Sequence, residues 1–204
     1  MSWLKRATRY TGRSSPYMEG YYMPKQIGRP DTIYQCPEAP WVFLGGADLD
    51  DIRAAEQMAG QPICLRVDVT DKNTTELPGP VIKIPLPEFR TWSGAQYEAV
   101  QQDFQEAASR LAQVIQSRRC PIFVHCSAGA NRSVSVLAAA LTQITGRPVF
   151  DILREMKSVR GLVHPHDPYV MMALDYSQSE EDVSQREMIR QNIDMDQEIP
   201  EMVA

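Results

Sequence analysis

The residues from Ile122 to Ser133 run Ile-Phe-Val-His-Cys-Ser-Ala-Gly-Ala-Asn-Arg-Ser and set a cysteine, Cys126, and an arginine, Arg132, at the two ends of a short loop. The apolar residues before His125 predict a strand, and Arg132-Ser133 opens a predicted helix. Between them lie Ser127, Ala128, Gly129, Ala130 and Asn131, small enough for successive backbone N–H groups to turn inward around an anion. The start of the helix adds its positive end, a natural anion site. Arg132 offers a planar fork to two phosphate oxygens, which lysine cannot copy. The same field favours Cys126 as a thiolate, and the thiolate is the reactive form.

The chemistry such a loop can do is nucleophilic attack on a phosphate monoester. That reaction needs a gripped dianion, an unprotonated nucleophile in line with the scissile bond, and a proton for the departing oxygen. The loop supplies the first two. Ser133 is placed to donate to the thiolate and steady it as a leaving group in a second step. His125, directly before the cysteine, orders the loop rather than acting as a base. A cysteine and arginine at this spacing recur by chance. An apolar strand, His, Cys, Gly at the third loop position, Arg and a helix-opening Ser together do not.

The elements that must position this loop follow from periodicity and punctuation. Residues 41–46 (Trp-Val-Phe-Leu-Gly-Gly) read as a short buried strand stopped by glycines. Asp48–Met58 is a predicted helix ending before Gly60. Ile63–Val69 is a second strand and Val81–Ile84 a third, which Pro85 and Pro87 are expected to cut off. Ser93 with Gln96 is a capping-box pattern. Tyr97, Val100, Phe104, Ala107, Leu111, Val114 and Ile115 then give one helical apolar face. Pro121 ends that helix, and Ile122–His125 forms the central strand. A small-residue helix spans Arg132–Thr145 and stops at Gly146. Pro148 suits the first turn of a helix bearing Val149, Ile152, Leu153, Met156 and Val159. A last helix begins near Asp167-Pro168 and ends by about Ser177. Alternating strands and helices predict an α/β domain whose sheet is covered on both faces.

With 204 residues the chain suits one well-buried domain. The expected division is a basic N-terminal arm (1–30), a catalytic domain (31–178) and an acidic C-terminal tail (179–204), the tail a marginal helix or disordered. Residues 1–30 carry six Lys/Arg against Glu19, and residues 179–204 carry eight Asp/Glu against Arg186 and Arg190. Residues 1–18 also resemble a transit peptide. The preferred reading is a flexible or domain-draping arm, with Tyr17, Tyr21, Tyr22 and Met23 available to pack on the core. The net charge of −5 and the lack of a basic face argue against nucleic acid as a partner. No run approaches the roughly 18 to 20 apolar residues of a membrane span. Cys36, Cys64, Cys120 and Cys126 show no metal-ligand or CxxC spacing, so reduced thiols in a cytoplasmic setting are expected. Cys64 and Cys120 are read as buried apolar residues, with a disulfide to an oxidised Cys126 as the alternative.

The segment His125-Cys126-x-x-Gly129-x-x-Arg132-Ser133 resembles the signature of the protein tyrosine phosphatase superfamily, and the Ala-Gly pair with the terminal Arg-Ser looks most like its dual-specificity branch. Trp41–Gly46 is similar to that family's early strand, Val67–Thr70 to its next strand end, and Gly161–Pro165 with the final helix to its C-terminal element. The resemblance covers about residues 31–178 and implies a central mixed sheet of about five strands flanked by helices. It also implies a two-step mechanism through a phosphocysteine, without metal or cofactor.

Members of that family normally place an aspartate after a strand ending in an Ile-Pro-like pair. Here Ile84-Pro85-Leu86-Pro87 leads to Glu88, the nearest match for the general acid. Asp68, Asp71 and Asp103 are alternatives: Asp71 can swing in from the preceding strand's loop, and Asp103 falls on a predicted helix. His166 stands where the family often has an asparagine that braces the catalytic loop, and it either braces the loop too or faces solvent. His164 and His166 lack a third ligand in register for a metal. The expected function is a phosphatase of dual-specificity or tyrosine type acting on a phosphorylated protein. The rivals are a non-protein substrate (a phosphoinositide, a sugar phosphate or an RNA 5′ end) and a phosphate-binding protein with little turnover. No lysine lies between Cys126 and Arg132, which counts against the polyanionic substrates. The sequence does not fix an oligomeric state.

Overall fold

A five-stranded mixed sheet in the order β1-β2-β5-β3-β4 carries the loop at the end of its central strand. The computed structural model describes residues 33–72, 74, 76–88, 93–177 and 179–195. The basic arm of residues 1–30, with its aromatic residues, lies outside them. The strands are β1 (Tyr34–Gln35), β2 (Val42–Gly46), β3 (Leu65–Thr70), β4 (Val81–Leu86) and β5 (Ile122–Cys126). The helices are α1 (Leu49–Ala59), α2 (Gly94–Ser117), α3 (Arg132–Thr145), α4 (Val149–Val159), α5 (Asp167–Tyr176) and α6 (Glu180–Met195).

Strand β5 runs parallel to both β2 and β3, with Val42 and Leu65 each opposite Ile122. Every residue of β5 is buried, as a strand covered on both faces requires. Its alternating side chains divide between two cores. Ile122 and Val124 join Val42, Leu44 and Val67 beneath α2, α3, α4 and α5, while Phe123 meets Phe43 and Ile52 of α1 on the other face. The middle of α3, Val134–Leu141, is buried throughout. Its three alanines at 138–140 let neighbouring helices approach on several sides. Local signals set the ends. Asp48 caps α1 by accepting from the Asp50 N–H, Ser93 and Gln96 close the capping box of α2, and Gly60 and Gly146 terminate α1 and α3 in the left-handed region.

Four features go beyond or depart from the sequence reading. Strand β4 continues through Pro85 to Leu86. It is an edge strand with a register irregularity opposite Asp68–Thr70, so the missing N–H breaks no ladder. Strand β1, only two residues long, pairs antiparallel with β2 and makes the sheet mixed. Residues 180–195 form a helix, α6, anchored by Asp182. That side chain is fully buried, accepts from the Val149 N–H at the start of α4 (2.9 Å) and from the Ser177 hydroxyl, and its own N–H donates to Ser179 Oγ. Finally, Cys64 and Cys120 form a disulfide (Cα–Cα 6.1 Å), so these two are neither reduced nor partners for Cys126. They precede β3 and β5 and staple the starts of these parallel strands. Cys126 ends β5, about 20 Å from Cys120 along a strand that rises about 3.3 Å per residue.

Candidate active site

The loop 127–131 leaves the C-terminal end of β5 and enters α3, and its carbonyls are tied outward one after another. Ser127 O accepts from the Ala47 N–H (3.0 Å) and Ala130 O from the His164 N–H (2.8 Å). The carbonyls between them belong to Arg160, whose Nη2 donates to Ala128 O (2.9 Å) and whose Nε donates to Gly129 O (3.2 Å). In a planar trans peptide the C=O and the following N–H point in opposite directions. Four carbonyls held away from the centre therefore turn the N–H groups of residues 128–131 towards it. That ring of donors is an anion cradle made of backbone alone.

Two glycine positions allow this geometry. Gly129 sits at φ +63°, and a Cβ there would land on the carbonyl of Gly45. Gly45 in turn has Phe123 against it, where a side chain would collide with the ring. The loop thus rests directly on the end of β2. Beneath it, Arg160 and Asp51 are both almost completely buried and ion-paired (3.3 Å), and Asp51 also accepts from the Gly46 N–H (2.7 Å). Residues from α1, β2 and the end of α4 are thereby joined under the cradle.

Asn131 occupies the N-cap position of α3, yet its side chain makes no capping bond. It accepts instead from the His166 N–H (2.9 Å), which ties the loop to the start of α5. The bracing at His166 therefore runs through its backbone, while the half-buried imidazole has its pKa lowered by burial. The first-turn amides of α3 stay turned to Cys126, at the positive end of the helix.

Cys126 is 3% exposed. Burial is the strongest influence on its thiol and acts to raise the pKa. The Ser133 hydroxyl (3.2 Å), the N–H groups of Ser133 and Asn131 and the charge of Arg132 outweigh it, so the pKa lies below that of an ordinary cysteine. Cys36 shows the contrast. There burial outweighs the N–H groups of Ala39 and Glu38, the Glu38 carboxylate adds to it, and the pKa is raised to about 11.

Arg132 reaches across the mouth of the loop. Its Nη1 donates to Asp71 Oδ1 (2.8 Å) and Leu86 O (3.0 Å), and its Nη2 to Ser127 Oγ (3.1 Å). Glu88 lies just past β4 with its carboxylate exposed, 3.5 Å from Lys72 Nζ. The turn that carries it is fixed through the backbone. Leu86 O is held by Arg132, Pro87 O accepts from the Tyr169 hydroxyl of α5, and the Glu88 N–H faces the Asp71 carboxylate.

The other carboxylates separate clearly. Asp68 is fully buried in β3, bonded to Lys83 Nζ (2.6 Å), the Thr74 hydroxyl and the Thr70 N–H (2.8 Å). Burial acts to raise its pKa, and these partners hold it low. Enclosed in that way, it is not an acid for a bound ester. Asp103 is exposed on α2. His125 is fully buried beside Asp68, and its pKa is lowered to about 4, chiefly by burial. Its Nε2 meets Arg66 Nη1 at 3.3 Å. A guanidinium only donates, so Nε2 is the acceptor and the ring proton sits on Nδ1. Neutral at pH 7 and enclosed, the ring packs rather than transfers protons. Among the described residues, no group of three or more His, Cys, Asp or Glu is placed to hold a metal ion.

The geometry has a counterpart in known proteins. A family model described as dual specificity phosphatase, catalytic domain, matches residues 45–179. The chain belongs to the dual-specificity phosphatase family. Solved structures with the same fold include DUSP15, at 18% identity and TM-score 0.52, covering 76% of this chain and 92% of that one. Human DUSP28 is 17% identical, with TM-score 0.52, covering 79% and 99%. A human tyrosine phosphatase-like serine/threonine/tyrosine-interacting protein is 15% identical, with TM-score 0.51, covering 75% and 97%. No curated protein sequence matches the chain closely enough to count as a relative.

Within this dual-specificity phosphatase domain the contiguous loop is what the sequence makes visible. Arg160, Asp51, Tyr169 and Arg66 support it from outside and are absent from the sequence reading. A single arginine after an amphipathic helix, or an aspartate in a helix's first turn, has ordinary surface explanations. Only the fold brings Arg160 and Asp51 together.

Proposed function

We propose that this dual-specificity phosphatase domain hydrolyses phosphate monoesters on proteins, phosphotyrosine among them, through a phosphocysteine at Cys126. The observation that carries the proposal is the inward-facing ring of N–H groups from residues 128–131 around a cysteine whose pKa is lowered. In this reading the backbone of Ser127, Ala128, Gly129, Ala130 and Asn131 with the Arg132 guanidinium grips the dianion, and charge developing on its oxygens in the transition state meets preorganised donors. The Cys126 thiolate attacks phosphorus in line as the ester bond breaks. Glu88 gives its proton to the leaving oxygen and then, as carboxylate, takes one from the water that attacks the phosphocysteine. Ser133 donates to the departing sulfur in that second step. The products are inorganic phosphate and the free hydroxyl. His125 holds the loop in register and transfers no proton.

The mouth of the site favours a substrate with little charge beyond its phosphate. Among the described residues, Asp71 and Glu88 both stand there exposed, and a nearby cation, Lys72, is already paired with Glu88. A phosphoinositide, a sugar phosphate with further charge or an RNA 5′ end would meet these carboxylates. A second reading, binding with little turnover, draws on Glu88 in place of the family's aspartate and on the phosphatase-like neighbour named for its interactions. A lowered cysteine pKa favours turnover, since a binder has no use for a thiolate.

The test is hydrolysis of an aryl phosphate by the wild-type chain and by Cys126→Ser. Turnover by the wild type alone supports the reading, and equal rates contradict it. Stoichiometric phosphopeptide binding without turnover, persisting in Glu88→Asp, supports the binding protein instead.

A further inference from the structure

We infer that Asp71 is a positioning residue of this site, holding the Arg132 guanidinium by one end so that its other edge meets the phosphate, and locking the Glu88 turn to it. The inference rests on the phosphatase reading above and concerns a residue outside the signature loop.

The Arg132 side chain is 4% exposed, and a guanidinium so enclosed needs an opposing charge. Asp71 supplies it at 2.8 Å, and its carboxylate is itself 46% exposed, so the negative partner keeps much of its hydration. The two hydrogens of Nη1 go to Asp71 Oδ1 and Leu86 O, both outside the signature loop. Nη2 reaches the opposite way, to Ser127 Oγ within the loop. Fixed at Nη1, the guanidinium presents its Nε–Nη2 edge to the cradle, the two-pronged side that matches two phosphate oxygens. Loss of Asp71 leaves the guanidinium two neutral acceptors, Leu86 O and Ser127 Oγ, and takes away the counter-charge that fixes its orientation.

Asp71 also couples this arginine to the candidate acid. Its carboxylate faces the Glu88 N–H, two residues beyond the Leu86 carbonyl that Arg132 holds. Three chain segments, after β3, after β4 and at the start of α3, therefore meet at one carboxylate. The protonation state fits support rather than acid catalysis. Partial burial acts to raise the Asp71 pKa, but Arg132, its own N–H and that of Glu88 bring it below the ordinary range. A carboxylate held ionised has no proton to give a leaving group.

The experiment measures binding of inorganic phosphate by calorimetry, together with kcat and KM for aryl phosphates of graded leaving-group pKa, for the wild type, Asp71→Ala and Asp71→Asn. Asp71→Ala is expected to weaken phosphate binding roughly tenfold or more, the scale of losing a hydrogen bond to a charged group. Asp71→Asn keeps an acceptor oxygen for Nη1 and is expected to recover part of the loss. Because Asp71 also holds the Glu88 turn, the rate should fall for every leaving group in both variants, somewhat more for poor ones. Phosphate binding by Asp71→Ala within about twofold of the wild type would overturn the inference. So would a rate loss confined to poor leaving groups with phosphate binding unchanged, which marks an acid. If Asp71→Ala fails to fold, Asp71→Asn decides on the same two readouts. A wild-type chain that binds phosphate without turning over any ester would sink the phosphatase reading while leaving the binding comparison to judge Asp71.

Discussion

The hydroxyl of Ser133 donates to the sulfur of Cys126 across 3.2 Å in a buried setting, from the first turn of the helix that follows the loop. One sulfur thus receives a hydroxyl, helix amides and the field of Arg132 together. In the proposed mechanism the hydroxyl matters most when sulfur leaves phosphorus, because the thiolate charge reappears there. Ser133→Ala is expected to slow breakdown of the phosphocysteine by the equivalent of about 1.5–3 kcal/mol, on the order of 10- to 100-fold in kcat. Pre-steady-state kinetics checks this: a burst of released alcohol stoichiometric with enzyme should precede the slow phase, and the thiol pKa should rise.

Glu88 gives a separable prediction. Glu88→Gln keeps the shape of the turn and removes the proton. Its kcat for a poor leaving group such as phosphotyrosine should fall by about 10²–10⁴. For an aryl phosphate with a strongly acidic phenol the loss should be much smaller, because that oxygen leaves without help. Equal losses for both esters would take Glu88 out of the acid role.

The Arg160–Asp51 pair predicts a stability effect coupled to phosphate binding. Arg160→Met removes the counter-charge of a buried aspartate and the donors to Ala128 O and Gly129 O, and should cost about 3–5 kcal/mol in urea unfolding. Arg160→Lys should rescue little, since a compact ammonium lacks the planar fork that reaches several acceptors. Where the variant folds, phosphate binding should weaken as well, because the released carbonyls no longer hold their N–H groups inward.

His125 makes the fold sensitive to mild acid. Its pKa falls from 6.5 to about 4, chiefly through burial, with Arg66 and Lys83 adding to the shift and Asp68 opposing it. An unfolded chain takes up this proton near pH 6.5, whereas the folded chain resists until about pH 4. Stability should be flat in this respect above pH 6.5 and fall as pH drops towards 4, by roughly 3 kcal/mol in all. Chemical unfolding of the wild type and His125→Gln across that range checks the assignment. The variant should show a shallower slope, with the residual from His166, whose pKa is also lowered by burial, and, below about pH 5, from carboxylates held low such as Asp68 and Asp71.

What the sequence revealed depended on how far apart the cooperating residues lie. Cys126, Arg132 and Ser133 fall within one short segment, and the strand, loop and helix that carry them have strong local signals. Helix α2 was equally plain, because an apolar face and a capping box agree. Arg160 and Asp51 are 109 residues apart, and nothing local distinguishes either from a surface charge. Strand β1 is two residues long and exists only through pairing with β2. Pro85 is tolerated in β4 because that strand is an edge, which local sequence does not record. The acidic stretch after Ser179 holds its helix partly through Asp182, whose partners Val149 and Ser177 belong to other parts of the chain. The Cys64–Cys120 pairing likewise follows from two parallel strands starting side by side.

The most direct measurement is rapid acid quench of the enzyme during turnover of an aryl phosphate, followed by peptide mass spectrometry. A transient phosphoryl group is expected on the peptide that contains Cys126, accumulating further in Ser133→Ala and absent in Cys126→Ser. Turnover with no phosphorylated Cys126 peptide at any time point, or hydrolysis undiminished in Cys126→Ser, would contradict it.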